Sequence, residues 1–494
     1  CDDWFGGEGL RHIRKAVLAF TAGLLFMAAN SPVAAREVYE NYTYMENGEY
    51  GAEPQAYIPE TILTADSIGV EPFVLLSDLF VAPDGCIYLV DSGAGNIIIL
   101  NEDMTLNRVV EGFDKDGARQ SFSNPAGVFV TEQQELYIAD MGNQRIVKLD
   151  GQDRLLQIFG RPDTSLLDPE LAYSPKKLVV DTYDRLYVVV DGVTNGLLQL
   201  DKDGSFISFF GAIPTTLSPI EAFWRWLQPA SRAGRVQIVP TVYDNIALND
   251  QGFIYGAVGA NHNVAENSIR LLNTMGTDVL RRNGITVPAG DVDVATEDGK
   301  VSSRIIDICA RDNGMYSVLD DTFKRVFTYD YDGNLLYVFG ASGAQKGALG
   351  QPVALDVLKD GRILVADQRY GQITVYSMTD YAVLVTEATI LQYQRDYTAS
   401  QKKWEEVLCF SSKSLLAYRR MGVNEFRNGN YKQAMDYFAL GEDKAQYSQA
   451  YQYYRKDLIR DFFSPGVMAG CVVALFVLIV AIKLFKWRKR RGKK

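Results

Sequence analysis

Five aspartates recur at comparable places along the chain: Asp91, Asp140, Asp191, Asp320 and Asp367, each closing a short apolar phrase. Carboxylates gathered near one axis could hold a Ca²⁺ ion by oxygen ligation. Alternatively, each could accept hydrogen bonds from backbone N–H groups of its own turn. A residue present in nearly every unit serves what the units share, so the turn role is expected, with no metal and no cofactor. Histidine chemistry has little material, since His262 is the only histidine beyond the N-terminal segment. A zinc site needs several ligands, and a Ser-His-Asp triad would have to use His262 without a G-x-S-x-G elbow. No catalytic residue is assigned. The candidate ligand-binding residues are Trp224 and Trp226, suited to stacking on a sugar ring or anchoring a partner, together with Asp140 and Arg145, and Asp320 and Arg325.

These residues are placed by a repeat. The phrases IYLVD (87–91), LYIAD (136–140), LYVVVD (186–191), IYGAV (254–258), MYSVLD (315–320) and ILVAD (363–367) recur at separations of 49, 50, 68, 61 and 48 residues. Turn residues precede each phrase, an aliphatic strand follows most, and an aromatic strand such as LLQIFG (155–160) ends several. Each unit therefore reads as four short strands, a sheet that cannot cover both of its faces alone. Radial packing of six such sheets buries them, which is a β-propeller. The sixth unit lacks a fourth strand, and YIPETILT (57–64) upstream of the first unit can supply it and close the ring. The long excesses over the period, 212–235 with its two tryptophans and 259–298 with its acidic end, are expected on a face of the propeller as binding surface.

The second unit carries Asp140, Asn143 and Arg145, the spacing of the NHL repeat, which it resembles; Asp320 and Arg325 match it in part. After residue 378 the period becomes 34: Tyr397 recurs as Tyr431, Ala388 as Gly422, Ser400 as Ala434 and Trp404 as Phe438. GVNEFRNGNYKQAMDYF (422–438) resembles a tetratricopeptide repeat, in which small residues let paired helices approach and aromatics fill the space between them. The whole order resembles bacterial envelope proteins that join an NHL propeller, tetratricopeptide helices and a membrane anchor. That resemblance implies association with transport systems, including ABC transporters for sugars. Six-bladed relatives also include metal-dependent lactonases of the gluconolactonase type.

The two ends set the topology. Residues 1–35 read as a signal peptide: Arg11, Arg14 and Lys15, then the apolar Ala16–Ala29, then Val33-Ala34-Ala35. Residues 464–485 read as a transmembrane helix, followed by a basic tail at 486–494, which is expected to stay cytoplasmic. The whole-chain charge of −11 includes +8 from 483–494 and zero from 1–35, leaving −19 on residues 36–482. A body that acidic repels phosphate backbones, and no nucleic-acid partner is expected. Cys86, Cys309 and Cys409 are odd in number and widely spaced, so no disulfide scaffold is expected.

The expected fold is mainly β: a linker at 36–56, a six-bladed propeller at 57–378, a small all-α tetratricopeptide-like domain with a capping helix at 379–463, and one membrane helix. The expected protein is a single-pass type I protein of a bacterial cell membrane with most of the chain extracellular. Its propeller face binds a ligand or protein partner, for example a carbohydrate or a transporter component, and its helical repeats act as spacer and docking site. The competing expectations are a metal-dependent lactonase-like hydrolase working in the propeller channel and a purely structural envelope scaffold.

Overall fold

The computed structural model describes residues 39, 41–45, 48–212, 242–259, 268–297, 299–462 and 465–491. Six antiparallel sheets follow one another as blades: 76–110, 125–159, 175–210, 243–272, 305–339, and 352–378 joined by 57–64. The first strand of every blade touches the first strands of both neighbouring blades, and blade 6 meets blade 1, so the ring is closed. The second strands, such as Ile87–Asp91 and Leu136–Asp140, are buried along their whole length. Their unbroken apolar sequence reflects neighbours on both faces. The hairpin turn before each needs a left-handed residue, supplied by Gly85, Gln134, Asp184, Gly252, Asn313 with Gly314, and Gly361.

The upstream strand Tyr57–Thr64 pairs along its length with Gln372–Met378, from Thr64 opposite Gln372 to Tyr57 opposite Met378. Thr379, just past this strand, donates its N–H to the carbonyl of Ala56 at 2.9 Å and its hydroxyl to that of Gln55 at 2.7 Å. The chain therefore begins and finishes the ring at one place. Two expectations need correction. Within the supposed linker 36–56 lies a hairpin, Asn41–Tyr44 with Tyr50–Glu53. It is held on blade 5, where the Asn41 amide oxygen accepts the N–H of Val338 at 2.8 Å. Blade 4 has three strands among the described residues, not four; Leu272 makes only a single bridge, to Asp278, where the fourth would run.

Helices follow without a break. Thr379 caps α1 (Asp380–Tyr393) by accepting the N–H of Ala382. Then come α2 (Tyr397–Phe410), α3 (Leu415–Arg427), α4 (Tyr431–Leu440), α5 (Lys444–Phe462) and α6 (Pro465–Arg491). The residues paired at 34 spacing lie in the packing: Ala388, Ser400, Trp404, Gly422, Ala434 and Phe438 are all buried. A Cβ on Gly422 would stand 2.6 Å from the Phe438 ring, so the α3–α4 crossing requires a residue without one.

The helical array grips the propeller. Arg420 of α3 is buried and forms ion pairs with Asp330 and Asp332 of blade 5. Arg419 donates to the Tyr44 carbonyl at 3.3 Å, and Tyr393 of α1 meets Tyr331 edge-on at 5.1 Å. The segment expected to act as a spacer is thus seated on the blade rim. In α6, Gly466–Arg488 is apolar and long enough to cross a membrane, and none of its most apolar window is buried in the protein.

Candidate binding sites

The recurring carboxylates are occupied by their own blades. Asp91 accepts the N–H groups of Val74, Leu75 and Ala94 at 2.7–3.0 Å. Asp320 accepts those of Arg304, Thr322 and Phe323 at 2.8–3.0 Å, and burial raises its pKa above the ordinary carboxylate value. Asp367 accepts four, from Gly350, Gln351, Arg369 and Tyr370. Each ties the segment entering the blade to the turn after the second strand. Asp191 departs from the pattern: its side chain is exposed and pairs with Lys176 at 2.8 Å.

Asp140 and Arg145 face each other across a strand pair and are joined at 2.7 Å. Asn143 donates to Asp140 at 2.9 Å, and the Arg145 guanidinium lies 5.1 Å from the centre of the Phe113 ring. Asp320 and Arg325 also stand opposite each other, yet Arg325 reaches elsewhere, to Asp291 and the Tyr42 hydroxyl. Asp291, first residue of the acidic stretch, is fully buried and accepts hydrogen bonds from Tyr42 and Tyr44 at 2.7 and 2.8 Å. That residue is therefore a fastening for the N-terminal hairpin and not part of an exposed acidic surface. The two charged pairs belong to blades 2 and 5, on opposite sides of the ring, and do not form one site. Trp224, Trp226 and His262 lie outside the described residues.

A feature missed in the sequence sits at the propeller axis. Each first strand has a register shift near its start, and the residue just past it is Asp78, Gly127, Lys177, Asn245, Asp307 or Ala354 in blade order. The Lys177 ammonium crosses from blade 3 to blade 1 and binds Asp78 at 2.5 and 2.7 Å. Asn245 donates to Asp307. Carboxylates also bridge to the unpaired backbone of the next blade: Asp78 to Val128 N–H at 2.9 Å, Asp307 to Leu355 N–H at 2.6 Å, and Asp356 to Val81 N–H at 2.7 Å. Gly127 leaves the room this needs, since a Cβ there would lie 2.3 Å from the Lys176 carbonyl.

Burial pushes the Asp307 carboxyl up to about 8, against the pull of Lys177. It pushes Asp356 up to about 6. Burial pulls Lys177 down, but Asp78 and Asp307 outweigh it and its pKa is raised. Among the described residues no three His, Cys, Asp or Glu side chains gather as a metal-ligand set. At the axis the acids already hold an ammonium ion and backbone donors, an arrangement that does not suit a divalent cation.

A cleft of about 380 Å³ opens where the helical array meets blade 5. Arg420 lies in its wall with a 5% exposed side chain, held by its ion pairs with Asp330 and Asp332. Burial pulls that guanidinium down to about 10, so it remains charged at neutral pH. Two turns along α3, Arg427 is exposed and makes no ion pair among the described residues. Phe426 and Tyr453 form an apolar side, their rings 5.2 Å apart and perpendicular. Gln446 and Gln449 supply amides. The acids in the wall are engaged: Asp332 with Arg281 at 3.0 Å, and Asp443 with the Gln446 N–H at 2.9 Å. The lining thus combines unspent positive charge, an aromatic wall and amides, a composition suited to polar or anionic ligand groups.

No family model matches the chain, and no curated protein matches it. Among solved structures it is similar to a streptogramin B lyase, at 12% identity over 69% of this chain and 87% of that one, with a TM-score of 0.36. It is similar to virginiamycin B lyase from Staphylococcus aureus, at 11% identity over 65% and 100%, with a TM-score of 0.40. It is also similar to a protein of unknown function from Bacteroides thetaiotaomicron, at 9% identity over 69% and 76%, with a TM-score of 0.42. These scores are too low to inform ligand or chemistry, and the propeller rests on its own sheet topology.

Proposed function

We propose that the chain is a membrane-anchored interaction protein of the bacterial envelope. In this reading the propeller and the helical hairpins, which resemble NHL and tetratricopeptide repeats, act as one recognition body outside the membrane, with the basic tail on the cytoplasmic side. The junction cleft is the contact site, and its partner is a protein, such as a transporter component, or a glycan. The observation that carries the reading is the cleft itself: the exposed Arg427, which makes no ion pair among the described residues, beside amides and an aromatic wall, where two domains are locked together.

A photo-cross-linking residue at Arg427 tests this in native membranes. It should give a discrete adduct that the same probe at exposed Tyr183 in blade 3 does not give. Digestion with glycosidase or protease then separates a glycan from a protein. Hydrolysis of a lactone or ester by the purified chain, abolished by a chelator, would overturn the reading in favour of a metal-dependent hydrolase.

A further inference from the structure

Helix α5 has two unlike sides. Gln446, Ala450, Tyr454 and Asp457, spaced four, four and three apart, are buried or half-buried, and α5 packs along α4. Tyr453 adds a ring contact to Tyr431 of α4 at 5.3 Å. A separate arc carries Tyr447, Tyr451, Leu458 and Ile459, which are 38, 47, 51 and 50% exposed. At about 100° per residue the two arcs do not overlap. A helix with a second apolar arc this long has a second neighbour.

Three observations identify that neighbour. First, Phe462 stands three residues before Pro465, where the apolar α6 begins. At no more than ~3.6 Å per residue, the end of α5 lies within about 11 Å of the hydrocarbon when α6 spans a bilayer. The end of α5 therefore lies in or just beyond the headgroup layer, which is about 5–8 Å deep on each side. Second, α5 is net basic. It holds Lys444, Arg455, Lys456 and Arg460 against Asp457 and Asp461, a net of +2 next to the membrane helix, whereas residues 36–482 as a whole sum to −19. Third, Tyr447, Tyr451, Arg455 and Lys456 border a shallow recess of about 380 Å³ on the open side. Tyrosines beside basic residues are the side chains that favour the membrane–water boundary and meet lipid phosphates.

We propose that the open face of α5 lies on an anionic lipid headgroup surface, so that the membrane covers the side of the helix the protein leaves bare. The inference rests on the anchoring reading above and goes further: the body is seated against the bilayer through α5 and is not held off it on a stalk. Its α4-facing side then points away from the lipid, which fixes how the propeller is presented.

The test uses the full chain in vesicles of roughly three parts phosphatidylcholine to one part phosphatidylglycerol. The accessible cysteines are replaced by serine, and an environment-sensitive fluorophore is attached at Tyr451→Cys, Ile459→Cys or, as control, Tyr183→Cys. Doxyl-labelled lipid should quench positions 451 and 459 at least ~3-fold more than position 183. Equal quenching at all three sites in a chain that resists alkaline carbonate extraction would overturn the inference while leaving the anchor intact. Excimer emission from pyrene at position 451 would also overturn it, because a second copy would then cover the face. Release of the chain by carbonate would remove the anchoring reading itself.

Discussion

Asp307 has the clearest pH consequence of any single residue. Its folded-state pKa of about 8 lies above the ordinary carboxylate value. The stability it contributes is therefore complete below about pH 4 and lost as pH rises through 8. Asp356 acts in the same direction, with its loss running from about pH 4 to about 6. Thermal midpoints should fall from pH 5 to pH 9, and Asp307→Asn should flatten that fall even if it lowers stability at pH 5. The turn carboxylates give a second contrast. Asp367→Ala strands four backbone donors and should cost about 3 kcal/mol or more, while Asp191→Ala at its exposed pair should change stability by no more than about 0.5 kcal/mol. Unfolding midpoints of the two variants under one condition measure this. The turn aspartates were legible in the sequence because one residue type recurs at one place. The axial network was not, because six equivalent places hold Asp, Gly, Lys, Asn, Asp and Ala, and only their joint geometry has meaning.

The elements follow from residue spacing where the spacing is regular. The strand Tyr57–Thr64 could be assigned to blade 6 because a six-fold count left one strand spare and one strand missing. The 34-residue pairing found the helix contacts, since Gly422 and Phe438 meet only when α3 and α4 cross closely. Gly422→Val should therefore cost about 1–3 kcal/mol and open the α3–α4 hairpin to limited proteolysis before the propeller is cut. The hairpin at 41–53 escaped notice because its strands are four residues long and have no repeat to compare with. Its place on blade 5 depends on Asn41 and on the Tyr42, Tyr44 and Asp291 cluster, contacts that join residues 247 to 297 positions apart. The grip of α3 on blade 5 was hidden for the same reason, as nothing local marks Arg420 as the partner of Asp330.

For the whole molecule, the charge division sets the expected behaviour. An acidic body followed by an apolar helix and a basic end should be anchored in membranes by that helix, with α5 adding a weaker, salt-sensitive contact. A chain ending at Phe462, which keeps α5 but not the anchor, should be released from membranes by high salt, while the full chain stays with them until detergent is added. The closure of the ring adds a constraint in time. The strand Tyr57–Thr64 is among the first parts of the propeller to be synthesised, and its partner Gln372–Met378 is the last. About 300 residues separate them, which at 5–20 residues per second is roughly 15–60 s of waiting. During that interval an early strand must stay extended and unpaired beside five growing sheets, each with an edge that could accept it. The newborn chain is thus most exposed to mispairing just before it is finished, and its folding yield depends on whatever shelters one short segment until the last blade emerges.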